Sequence, residues 1–588
     1  MNTLRVTLPL LFAGLVVAAG SAAPLGASAS QRTSQLLPEG GADCQASAPI
    51  PHYRVHPVSS APIPVAAPAP MAPPPKPSPV VAQAQMASKN AAPQALEAMT
   101  VAGYMPRIAP PYAAEDRDNY AHREANAVHL AATDPVSTFS IDVDTGSYTN
   151  VRHMLNEGRL PPGDAVRSEE FINYFDYGYA TPETRTRPFS VTTELAPAPW
   201  NADRQVLLVG IQGYKVPPSE IPAANLVFLV DVSGSMAEED KLPLLKASLK
   251  QIVPKLRAQD RISLVTYAGA TCVALRSTPG DQHAKINAAI DELGAGGSTN
   301  GAAGIELAYA QAMKGFIKGG VNRVILATDG DFNVGTVDVH ALKDRIAEKR
   351  KSGVALTTLG FGEGNYNDEM AVELADVGNG SHHYIDSLAE GRRVLVDEMS
   401  ATLMTIAKDV KIQVEFNPGV VAEYRLIGYE KRLLAREDFN NDAVDAGEIG
   451  AGANVTALYE ITLKGAEGAR VDPLRYGATK AGPASPELAF LRLRYKSPEG
   501  GASQLIEQPL SASVSPQASE RLRFAAAVAA FAENLRGGKY VDGFGYDKVA
   551  ELARGALGKD EGGYRAGMVQ LAEMAGGMQT EPVAVTRK

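Results

Sequence analysis

Residues 226–230, Leu-Val-Phe-Leu-Val, form an unbroken apolar run, and Asp231, Ser233 and Ser235 follow it at spacings of two around Gly234. A run of that kind suits a strand buried on both faces, as parallel sheets require. The polar trio then falls at the strand's carboxyl end, where open α/β sheets hold their ligands. One carboxylate and two hydroxyls are hard oxygen donors. They suit a Mg²⁺-like ion rather than zinc or a redox metal.

The surroundings of that run carry a regular alternation. Strand candidates between 225 and about 400 are Leu226–Val230, Ile262–Tyr267, Val321–Ala327, Ala355–Phe361 and His383–Ile385. Helical stretches lie between them at Ala302–Phe316, Val339–Lys351 and Asp368–Val377. Leu242, Leu245, Leu249, Ile252 and Leu256 recur at helical spacing, with Pro254 set to kink the last turn. The alternation predicts an α/β fold built on a doubly wound, mostly parallel sheet. Cys272–Leu275 fits a short antiparallel edge strand in which Cys272 is a packed thiol. Two further segments belong with Asp231. Gly296–Gly301 is a glycine-rich loop opening a helix and carrying Thr299, and the strand starting near Val324 ends in Asp329. Parallel strands with crossover helices bring these ends to one rim, so Asp231, Ser233, Ser235, Thr299 and Asp329 are expected to converge.

Asp231-Val-Ser-Gly-Ser235, Gly297-Ser-Thr-Asn300 and Ala327-Thr-Asp-Gly330, in this order, resemble the von Willebrand factor A domain and its metal-ion-dependent adhesion site. The resemblance covers about 225–400 and assigns an A domain to 223–400. It implies that Ser233 and Ser235 ligate the ion directly, Thr299 directly or through water, and Asp231 and Asp329 mainly through water. Neutral hydroxyls leave the ion electron-poor, so a sixth position can take a carboxylate. The implied cofactor is Mg²⁺, with Mn²⁺ or Ca²⁺ as substitutes. The implied partner is a protein presenting Asp or Glu. A wider resemblance rests on Ser137–Thr145, Leu160–Arg167, Asn173–Tyr177 and Val444–Gly452. It is to bacterial exported A-domain proteins, which carry a conserved domain on each side of the A domain. Many of those relatives are lipoproteins, whereas here no Cys follows the apolar leader at lipoprotein spacing; Cys44 lies in Gly-Gly-Ala-Asp-Cys.

The remainder divides by composition. Arg5, the apolar stretch Leu8–Ala19 and the small-residue site Ala27-Ser-Ala29 read as a secretory signal over 1–29. Residues 30–112 are rich in Pro and Ala and read as a disordered linker. The flanks are expected to be an N-terminal α+β domain at 116–222 and a β-rich, then helical, C-terminal domain at 409–580. Location is thus expected to be periplasm, cell envelope or exterior. A net charge of −10 disfavours nucleic acid, and no Walker-type loop exists for a nucleotide. Cys44 and Cys272 lie in regions of different character, and they are not expected to pair.

Competing motifs are weaker. Asp144-Thr-Gly-Ser147 matches the short aspartic-protease signature, but that chemistry needs two carboxylates and no second copy exists. A hydrolase using Asp144, or an envelope protein with an unused metal site, are the alternatives to a non-enzymatic binding protein. Asp438–Asp445 resembles a calcium loop but has Ala443 and Ile449 where Gly and Glu are needed. Glu448 and the 438–445 turn are conceivable internal ligands of the metal site. Asp331 and Asn333 are placed at its rim, Glu238–Asp240 on a solvated helix start, and His382-His383 on a strand surface.

Overall fold

The structure is a computed structural model. It describes Cys44 and residues 118–141, 144–297, 301–330, 339–363, 366–398, 404–444, 446–472 and 486–579. The chain begins with β1 (His129–Leu130), β2 (Val136–Ser140), α1 (Gly146–Asn156), α2 (Ser168–Asn173), β3 (Phe189–Ala198) and β4 (Asn201–Gly213). An alternation follows: β5 (Ala224–Asp231), α3 (Leu242–Ile252), β6 (Arg261–Tyr267), β7 (Thr271–Pro279), α4 (His283–Asp291), α5 (Gly301–Lys314), β8 (Val321–Thr328), α6 (Val339–Arg350), β9 (Ala355–Gly360), α7 (Asp368–Val377), β10 (His382–Tyr384) and α8 (Leu388–Arg392). It closes with β11 (Thr405–Phe416), β12 (Val421–Ile427), β13 (Gly447–Gly450), β14 (Asn454–Leu463), β15 (Glu487–Lys496) and β16 (Gln504–Ser511). The final helices are Glu520–Leu535, Tyr546–Arg554 and Tyr564–Gln579.

The alternating segment forms the expected sheet, in the order β10-β9-β8-β5-β6-β7. Its pairs are parallel except β6 with β7. Every residue of β5 is buried, because apolar layers cover both faces: Phe228, Leu245 and Leu249 on one side, Leu229, Ile305 and Leu326 on the other. α3 stops at Ile252 and passes into a 3-10 turn containing Pro254, which lacks the N–H needed to continue an α-helix.

The flanking segments, read above as separate domains at 116–222 and 409–580, share their sheets. One sheet runs β1-β12-β14-β4-β3 and the other β13-β11-β15-β16, with β2 also paired to β11. β4 meets β14 antiparallel from Gln205 opposite Ile461 to Gln212 opposite Asn454. Phe139, Leu207, Ile412, Tyr459 and Leu491 fill the core between the sheets. The outer face of the first sheet packs on α1, α2 and the final helices through Phe171, Phe175, Phe524 and Phe531. The α/β domain is therefore an insertion into one β-sandwich body made from both ends of the chain.

Polar contacts seat the insertion against α1 and α2. Arg152 forks onto Asp386 (Nε to Oδ2, 2.6 Å) and reaches Glu390 Oε2 at 2.8 Å. Arg167 Nη2 donates to Asp368 Oδ1 at 3.2 Å, and Thr149 Oγ1 to the Tyr384 carbonyl at 2.8 Å.

Cys44 and Cys272 form a disulfide, with Cα atoms 5.2 Å apart, against the expectation of two unpaired thiols. Edge strand β7 presents Cys272, and Cys44 lies alongside it, its N–H donating to Val273 O at 3.3 Å. A sequence separation of 228 residues sets the size of the closed loop, not whether the ends meet. Among the described residues no helix is long and apolar enough to cross a membrane.

Candidate functional site

β5 and β8 run side by side with Val230 opposite Ala327, so Asp231 and Asp329 leave the sheet at one rim. Their exposures are 0% and 1%. Asp231 folds the following turn around its own carboxylate, Oδ1 accepting from the Ser233 N–H at 2.8 Å. The 3-10 turn Gly234–Ala237 follows and brings Ser235 Oγ within 3.0 Å of Ser233 Oγ. The glycine-rich loop is held against this turn: Gly296 N–H donates to Val232 O at 2.7 Å and Gly234 N–H to Gly297 O at 3.1 Å. Thr299 lies outside the described residues, between that held loop and the start of α5 at Gly301. Asp331 and Asn333 also lie outside them.

Three residues that the sequence reading gave no role join the site, two of them within the Ala327–Gly330 motif. Thr328 Oγ1 donates to Asp231 Oδ2 at 3.5 Å and accepts from the Gly330 N–H at 3.1 Å. Gly330 has φ +86°, and a Cβ there would lie 2.6 Å from Tyr366 Cα, so the turn after Asp329 requires glycine. Lys241 is 4% exposed, with Nζ 3.6 Å from Asp329 Oδ2 and 2.8 Å from Glu238 Oε2. Its stem lies over Gly362, and Glu238 is thus an ion-pair partner as well as part of a solvated acidic run. Burial pushes the Asp231 carboxyl up to about 6; the Ser233 N–H opposes that, and the charge of Asp329 adds to it. Beside the turn opens a cleft of about 590 Å³ lined by Met236, Ala237, Leu242, Pro243, Lys246 and Lys250.

Other sequence candidates are placed elsewhere. Asp144 is 5% exposed. Its Oδ1 accepts from the His382 N–H at 2.7 Å and its Oδ2 pairs with Arg432 at 3.2 Å. It ties the body to β10. His382 and His383 are buried, not on a strand surface. Glu448 is not an internal ligand of the site: it accepts from Asn379 Nδ2 at 3.2 Å and Thr405 Oγ1 at 3.0 Å, beyond the opposite rim. Asp442, in the 438–445 turn, pairs with Arg494 at 2.9 Å. Ligand atoms of His153, Glu157 and Glu363 lie within 4.8 Å of one another, and Arg159 pairs with both of those carboxylates.

Comparison with known proteins gives three matches to family models. Residues 225–392 match the von Willebrand factor type A domain, 114–208 a von Willebrand factor model, and 401–578 the C-terminal region of the uncharacterized protein YfbK. The chain is 51% identical over 468 residues to the uncharacterized protein YfbK of Escherichia coli (strain K12), covering 78% of this chain and 81% of that protein. It is 24% identical over 280 residues to human inter-alpha-trypsin inhibitor heavy chain H3, covering 43% of this chain and 31% of that one. A solved von Willebrand factor type A structure from Catenulispora acidiphila aligns with TM-score 0.38 at 16% identity, over 68% of this chain and 91% of that one.

Proposed function

This chain belongs to the family of the uncharacterized Escherichia coli protein YfbK and carries a von Willebrand factor type A domain, and from that premise we propose an exported protein that captures a partner's carboxylate through a divalent ion. The type A domain supports a protein-binding scaffold. The finer part of the reading is the ion, held by Asp231, Ser233, Ser235, Thr299 and Asp329.

The 3.0 Å between the two seryl oxygens carries this reading. Oxygens about 2.1 Å from Mg²⁺ and at right angles stand about 3.0 Å apart, so the pair matches two adjacent corners of an octahedron. Charge points the same way. Asp231 and Asp329 are two buried carboxylates, and the Lys241 ammonium lies 3.6 Å from Asp329 and 2.8 Å from Glu238. A divalent ion would offset the charge of the two buried carboxylates, and an incoming Asp or Glu would then meet the ion itself at its open position. The adjoining cleft offers apolar walls to the partner's neighbouring residues, its Lys246 and Lys250 being held by Asp291 and Leu293. Mg²⁺ fits first; Mn²⁺ or Ca²⁺ would use the same oxygens.

The reading is of a binding protein rather than an enzyme, since Asp144 is committed to the seam between body and insertion. Export is supported by the signal-like residues 1–29, ahead of the linker 30–112, and by the disulfide, which persists in oxidising compartments. Calorimetric titration of Mg²⁺ is the test, followed by pull-down from envelope extract in Mg²⁺ or EDTA. Wild type should bind the ion, Asp231→Ala and Ser235→Ala should weaken it at least about tenfold, and capture should vanish in EDTA. Equal binding by Asp231→Ala, or capture indifferent to EDTA, sinks the reading.

A further inference from the structure

The opposite rim of the central sheet carries a second polar cleft. The chain crosses between body and insertion twice there, ahead of β5 and ahead of β11. Residues from both crossings, Pro222 and Met404 among them, line a cavity of about 300 Å³. Arg323 and Arg350 enter it from the insertion, and Arg185, Lys408 and Glu448 from the body. Four cations thus line the cleft with Glu448, and Glu499 acts on Arg185 and Lys408 from beside it, in a chain whose net charge is −10. The two Glu448 oxygens accept from Asn379 and Thr405.

Arg323 is the decisive residue. It is 5% exposed. Its Nη1 donates to Thr357 Oγ1 at 2.5 Å, and its Nε has no partner among the described residues. A buried guanidinium is costly to the fold, and burial pushes Arg323 down to about 10 against the pull of Glu448 in the same cleft, still cationic at neutral pH. It lies in β8 opposite Leu226 of β5. That is five residues from Asp231, roughly 17 Å at the usual strand rise, so this cleft is distinct from the candidate metal site.

We propose that the cleft binds a small multivalent oxyanion, of the phosphate or tricarboxylate kind, with the buried Arg323 as its principal ligand. The guanidinium fork matches planar or tetrahedral oxyanions. The cavity size admits a small ion rather than a polymer. Lys408, Arg350 and Arg185 complete the positive wall from both sides of the crossing, so the bound anion braces the insertion against the body.

Inorganic phosphate and citrate, each titrated into the full chain at constant ionic strength with chloride as control, are the probes. Calorimetry and thermal melting are the readouts. The expected result is saturable binding of at least one probe with a rise in melting temperature, and the probe that binds tells phosphate from carboxylate. Arg323→Met should abolish that rise while melting at or above wild type in anion-free buffer, the opposite of a purely structural role. Lys408→Ala, at the half-buried wall, should weaken binding about tenfold. It keeps the test decisive if Arg323→Met does not fold. Absence of saturable binding by either probe overturns the proposal. So does a response unchanged in Arg323→Met, or unchanged in Lys408→Ala when the first variant is lost.

Discussion

His382 and His383 stand in succession in β10, exposed by 0% and 4%. His382 bonds Thr358 Oγ1 through Nδ1 at 2.9 Å and Tyr366 OH through Nε2 at 2.8 Å; His383 Nε2 bonds Ser381 Oγ at 2.9 Å. Burial drives His382 down to about 4 against the pull of Asp368, and His383 down to about 3, where Arg393 adds to the effect. An unfolded histidine titrates near 6.5, so between these values the unfolded chain binds protons that the native one refuses. Stability is then full above about pH 6.5 and falls as pH drops toward 4 and 3. For His382 the loss is on the order of 3 kcal/mol by pH 4. Urea melts of wild type and His382→Gln from pH 7.5 to 4 check this: the variant should lose markedly less over that window. Sequence alone set this pair on a strand surface, the default for polar residues at a sheet edge. What it does not display is α1, whose Gly146 packs so closely on His382 that a Cβ there would lie 2.6 Å from the ring.

Elements of the central domain were legible because their signals are local. The apolar run of β5, the period of α3 and the β7 edge strand each appear in the sequence, although α3 ends at Ile252 instead of kinking on to Leu256 and β7 runs past Leu275 to Pro279. The Asp231–Ser235 turn was legible for the same reason, its geometry being set by five consecutive residues. Contacts between elements were not. α1 carries Arg152 to Asp386 and Glu390, residues 4% and 1% exposed that follow β10 more than 200 positions later. Burial alone would raise Glu390, yet Arg393 and Arg152 hold it down at about 2. Arg393 in turn lies 4.0 Å over the Tyr174 ring of the body. Removing Arg152 takes the guanidinium from buried Asp386, which keeps the Ser387 hydroxyl, and leaves Glu390 with Arg393 and the Tyr174 hydroxyl. Arg152→Ala should therefore cost on the order of 3 kcal/mol, read as a lower denaturation midpoint. Hydrogen exchange should speed first in α1 and β10, and uniform protection loss across the chain would contradict a seam-specific role.

For the whole molecule, the sheets of the body are completed only when both ends of the chain are present. β4 depends on β14 and β2 on β11, pairings across some 250 or more residues that leave no periodic trace in either segment. Hence two domains were read where the strands build one body. A fragment of residues 118–222 should expose unpaired apolar strands and aggregate. Co-expression with 404–579 should rescue it, while 223–400, with its own cores, should fold alone; circular dichroism and gel filtration of the three products decide this. The disulfide escaped sequence reading for a related reason: β7 is legible as an edge strand, but nothing local displays that Cys44, 228 residues away, lies alongside it. Its position also fixes where load travels. Cys44 is bonded to β7, and Asp118 accepts from the Tyr366 N–H at 2.8 Å, so both ends of the intervening stretch are fastened to the same inserted domain. A pull on the chain upstream of Cys44 passes through the sulfurs straight into β7. Reduction of that single bond would remove the covalent tie, and the same pull would then enter the domain only from Asp118 onward.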